Sequence, residues 1–164
     1  MRTQEEISNR FAAIKSDDIF GFRREALLTF LDGEHVEKFV HEKDASESFS
    51  PKKWEGQFPA NQRTDEGVLR EMREYMAFAW DKVIHHRGIS ASRSVEKMAE
   101  WCWLLGRDDL LDFAHDTKNY PQYGAPVLKK ICEELGFPIP EDEAVQRMAK
   151  GEPRGADYPC GCGE

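Results

Sequence analysis

The chain is poor in cysteine, with four in 164 residues, and it has no apolar run near the ~20 residues that a membrane-crossing helix needs. Cys102 and Cys132 fall inside apolar, helix-patterned stretches, so a disulfide framework is not expected and a reducing, cytoplasmic compartment is. The first residues, Met1 to Glu6, lack the apolar stretch of a secretory signal. Cations are also in deficit: 23 Lys and Arg stand against 31 Asp and Glu, a formal net charge of −8. Direct nucleic-acid binding needs clustered cations to neutralise phosphates, and this balance argues against it. There is no Gly-rich phosphate loop, no Gly-x-Ser-x-Gly elbow and no internal repeat, and no bound cofactor is expected.

What the chain does have is helical periodicity almost throughout, together with ten Phe, four Trp and four Tyr that demand burial or a partner. The spacing predicts an all-α bundle of about seven or eight helices. Thr3 and Glu6 have capping-box spacing ahead of Ile7, Phe11 and Ile14. Arg23–Leu31 and Glu34–Val40 read as short helices. The longest pattern, Val68, Leu69, Met72, Met76, Ala79, Trp80 and Val83, predicts a spine helix over 64–87. The next run, 91–105, carries Trp101 and Trp103 two residues apart. They point to roughly opposite sides of a helix, which predicts a core helix buried between layers. Shorter helices follow over Asp108–Asp116, Ala125–Leu135 and Glu141–Lys150. Residues 1–150 are expected to form a single helical domain, with 41–63 as a flap or arm. Six of the last 14 residues are Gly or Pro, so 151–164 is expected to be an irregular, mobile tail.

The junction between spine and core helix concentrates polar chemistry. His85-His86-Arg87-Gly88-Ile89-Ser90-Ala91-Ser92-Arg93-Ser94 joins a helix stop to a helix start. Arg87 and Arg93 with the hydroxyls of Ser90 and Ser92 make an anion-binding candidate, because a helix start adds unpaired N–H groups. The bland reading is a corner in which Ser90 or Ser92 caps the core helix and the arginines pair with nearby acids.

Two metal readings compete with this. His85-His86 followed by His115-Asp116 resembles the scattered His…His-Asp…Asp pattern of HD-type phosphohydrolases, a family that is also all-α. The resemblance covers about thirty residues. It implies a divalent metal held by imidazoles and carboxylates, and a water activated on that metal. The last aspartate of that pattern has no motif here; Asp142 and Asp157 are the ones available. Separately, Cys160-Gly161-Cys162 offers two thiolates, where a closed zinc site needs four ligands.

Protein recognition leads by elimination. Trp54, Phe58, Tyr120 and Tyr123 sit in turns or weak segments, as interface anchors often do. The C-terminal part is more acidic: residues 107–164 hold 12 acids and 7 bases, against 19 and 16 before them. Asp108, Asp109 and Asp112 belong to that acidic surface. The expectation is a soluble, non-enzymatic adaptor or inhibitor that binds another protein, including one that mimics nucleic acid, with a homodimer as a further option. The alternative is the metal-dependent phosphohydrolase.

Overall fold

Every regular element among the described residues is helical, and several begin or end where a side chain or a glycine resolves the backbone's unpaired groups. The computed structural model describes residues 1–14, 22–40, 60–85 and 89–153. Eight α-helices lie within them: α1 (Gln4–Ala13), α2 (Phe22–Leu28), α3 (Gly33–Val36), α4 (Asp65–His85), α5 (Ile89–Leu104), α6 (Asp108–His115), α7 (Ala125–Leu135) and α8 (Glu143–Ala149). Short 3-10 turns cover Glu37–Phe39, Ala60–Gln62, Thr117–Asn119 and Pro121–Gly124. None of the eight helices is long and apolar enough to cross a membrane.

The capping box at α1 is complete. Thr3 Oγ1 accepts from the Glu6 amide at 3.1 Å, and Glu6 Oε1 accepts from the Thr3 amide at 3.1 Å. The Thr64 hydroxyl accepts from the Gly67 amide at 3.1 Å, so Thr64 caps the spine helix α4 and lies outside it. Asp142 caps α8 in the same way and moves its start to Glu143, two residues later than the sequence pattern suggests. Helix α2 ends at Leu28, earlier than the apolar pattern through Leu31; Phe30 and Leu31 instead donate to the carbonyls three residues back in a tight turn.

Helix α5 occupies the middle of the molecule. It packs against α2, α4, α6, α7 and the Pro121–Gly124 turn, so both its faces are covered. Trp101 is buried and its Nε1 donates to the Ala26 carbonyl on α2 at 3.0 Å. Trp103, on the other side, lies between the guanidinium groups of Arg2 and Arg10, 4.6 and 4.8 Å from its ring centre. A tryptophan on each face demands partners on two sides, and that requirement puts α5 between layers. One continuous set of buried side chains runs from Ile7 to Ala149.

Helix α5 also carries the most buried charge. Glu100 is fully buried and takes a two-pronged grip from Arg10, Nε to Oε2 at 2.7 Å and Nη2 to Oε1 at 2.8 Å. Arg23 Nε donates to Oε1 at 3.0 Å. Helices α1, α2 and α5 are therefore tied at one carboxylate.

Gly67 is required by a close approach. A Cβ there would lie 1.8 Å from the Gln62 carbonyl oxygen of the preceding turn. Gly→Ala inside a helix ordinarily stabilises by up to about 1 kcal/mol. At this position the overlap with backbone outweighs that gain, and Gly67→Ala is expected to cost roughly 1–3 kcal/mol, as overpacking does. A raised thermal midpoint would show that the turn at 60–62 yields freely.

Candidate functional site

Four residues of α4 and the strap that follows α7 enclose an apolar groove. Arg73, Met76, Ala77 and Trp80 recur at three- and four-residue steps and form one strip of α4. The opposite wall is Phe137-Pro138-Ile139-Pro140. Gly136 places that wall: its left-handed φ of 78° ends α7, and the amides of Gly136 and Phe137 both return to the Cys132 carbonyl at 2.9 Å. Phe137 is then turned into the core, while Pro138 and Pro140 deny the strap a renewed helix. The cavity measures about 220 Å³.

Its lining is almost wholly carbon. Trp80 is buried, and its indole N–H has no oxygen or nitrogen acceptor. Behind it, burial pushes the Cys132 thiol up to about 11, with the Trp80 N–H acting in the opposite sense. Burial also pushes the Cys102 thiol up to about 12. Both sulfurs therefore stay protonated at neutral pH and behave as core residues, without thiolate chemistry. The charged side chain among the lining residues is Arg73, whose guanidinium carbon stands 5.7 Å from the Phe137 ring centre.

The junction of α4 and α5 differs from the sequence expectation. Helix α4 is described to His85, its expected end at 87 lies outside the described residues, and α5 begins at Ile89 instead of residue 91. Ser90 and Ser92 thus lie inside the first turn of α5, and neither is its cap. Ser92 is half-buried and its carbonyl accepts from the Tyr120 hydroxyl at 3.5 Å. Ser94 is buried against α4, 3.4 Å from the Tyr75 hydroxyl. Arg93 is exposed and engaged within the molecule, and Arg87 lies outside the described residues.

The histidines are engaged separately. His85 Nε2 is 3.8 Å from Asp81, and His115 Nε2 is 3.2 Å from Glu96. Asp116 caps the turn at Thr117–Asn119 and pairs with Lys118. Among the described residues, no three His, Cys, Asp or Glu side chains come together in a set able to hold a metal. His86, Cys160 and Cys162 fall outside those residues, as do Trp54 and Phe58.

Tyr120 and Tyr123 are half-buried and pack against the core. Burial raises the Tyr120 phenol, with Glu96 adding to the effect, so its hydroxyl remains a donor. The turn between them is strained: Gln122 and Tyr123 adopt φ of 53° and 62° ahead of Gly124 at 90°. Gly124 is fixed by space as well, since a Cβ would meet Val95 at 3.0 Å. The acidic surface is partly neutralised from within. Asp108 pairs with Arg2, and Arg107 holds both Asp109 at 2.9 Å and Glu134 at 2.7 Å. Asp112 remains exposed.

The groove was not among the sequence candidates. Its signal was faint: an exposed Ala77 in a helix otherwise edged by long side chains, and alternating apolar and proline residues after a helix-ending glycine. Comparison of the chain with protein-family models, curated proteins and solved structures finds no match.

Proposed function

We propose that this protein is a non-enzymatic binding module, an adaptor or inhibitor, that holds another protein through the groove between α4 and the 137–140 strap. The observation that supports this is the groove's size together with its lining. At about 220 Å³ it falls below the roughly 300–1,000 Å³ of small-molecule and cofactor sites, yet it suits one bulky apolar side chain. An anchor side chain seated in an apolar pocket is the usual centre of a protein interface. The acidic surface of α6 is less well suited to the role, because Asp108 and Asp109 are already gripped by the protein's own arginines.

Selection of a displayed random-peptide library on the folded protein tests the reading. Enriched peptides are expected to share one large apolar residue and to lose binding to Ala77→Arg. Ala77 is exposed on α4, so the arginine fills the groove mouth at little cost to the helix. An empty selection, or peptides indifferent to Ala77→Arg, would count against the groove.

A further inference from the structure

We infer that the groove accepts an apolar anchor flanked by a carboxylate, so that its partner is a peptide segment of acidic-apolar character. This rests on the reading of the groove as a protein-binding site. It is carried by the state of Arg73. In a chain where acids outnumber bases 31 to 23, arginines readily find carboxylates. Arg2, Arg10, Arg23, Arg107 and Arg147 each grip at least one. Arg73 has none within ion-pair distance among the described residues; its contact is the face of Phe137.

A cation near a ring is attracted by the ring's electrons, which do not replace a carboxylate as the partner of the guanidinium N–H groups. Arg73 thus marks one end of the groove, and Trp80 lies about two turns further along α4. A ligand is oriented by this polarity, with its carboxylate toward Arg73 and its apolar group toward Trp80. A lysine beside the anchor would meet repulsion instead.

Titration of the 15N-labelled protein with three end-capped peptides tests the inference: Gly-Glu-Phe-Glu-Gly, Gly-Gln-Phe-Gln-Gly and Gly-Lys-Phe-Lys-Gly. All three are expected to move the Trp80 indole resonance and the Ala77 and Ile139 amides. The glutamate peptide is expected to bind about 5-fold tighter than the glutamine one, as an exposed ion pair allows. The preference is expected to shrink in 0.5 M salt and to vanish in Arg73→Gln. Equal binding of the three peptides at the groove would overturn the charge inference and leave the groove reading standing. A preference that persists in Arg73→Gln would overturn it too. No shift from any peptide, with an empty library selection, would overturn both. Decanoate in place of the peptides separates a small amphiphile from a protein segment, and groove shifts from decanoate alone would also overturn the proposal. So would sedimentation showing a dimer that Ala77→Arg dissolves, because a second copy would then be the occupant.

Discussion

Glu100→Ala is expected to lower the unfolding free energy by about 3–5 kcal/mol, enough to unfold a domain of ordinary stability at modest temperature. The carboxylate is fully buried, and Arg10 and Arg23 are drawn toward it from α1 and α2. Two opposing terms meet at this site. Taking a carboxylate and two guanidinium groups out of water costs several kcal/mol per ion, and their mutual attraction offsets that cost only while all three are present. Removing the acid leaves Arg10 and Arg23 partly buried with no counter-charge. The cost therefore exceeds any single bond in the set. Glu100→Gln keeps the shape and one acceptor, so it is expected to cost less than alanine. Urea unfolding of the two variants checks the order. Equal midpoints for wild type and Glu100→Ala would mean that the three groups contribute no net stability.

Trp101→Ala is expected to cost a similar amount, about 3–5 kcal/mol, through a different mechanism. The indole fills the space between α5 and α2, meets Tyr75 edge-on at 5.4 Å between centres, and donates to the Ala26 carbonyl at 3.0 Å. Alanine leaves a cavity that neighbouring helices fill only in part, and it also strips the Ala26 carbonyl of a donor. Trp101→Phe isolates the second effect. It retains most of the apolar volume, and its cost should lie near the roughly 1–3 kcal/mol of one unsatisfied buried acceptor. Calorimetry on both variants separates packing from hydrogen bonding. If phenylalanine costs as much as alanine, the bond is the dominant part.

These two residues also show how differently parts of the fold could be read in the sequence. Trp101 and Trp103 announced a doubly covered helix, because the 100° step between residues puts positions two apart on different faces. The structure places α5 between layers for that reason. Glu100, between them in the same pattern, reads as a surface acid. Its burial depends on arginines 90 and 77 positions away, and local periodicity holds no record of so distant a pairing. The cap expected at Ser90 or Ser92 is displaced because α5 already starts at Ile89.

The site followed the same division. Tyr120 and Tyr123 fall in a turn, and the left-handed backbone there packs them half-buried against the core, which no local pattern foretells. Asp108 and Asp109 belong to the acidic surface, and only the fold brings Arg2 and Arg107 to them. Meanwhile the apolar groove is lined by Ala77 and Ile139, which carry little signal alone.

By itself, the sequence determined the all-α class, the spine and core helices, the cap at Thr3 and the buried thiols. Those features follow from periodicity and from groups within a few residues of one another. Tertiary structure alone decided which charges are buried together, which aromatics face inward, and where an apolar groove stays open. Each of those depends on side chains brought together from distant positions, and the free energy of such meetings exists only once the helices have packed.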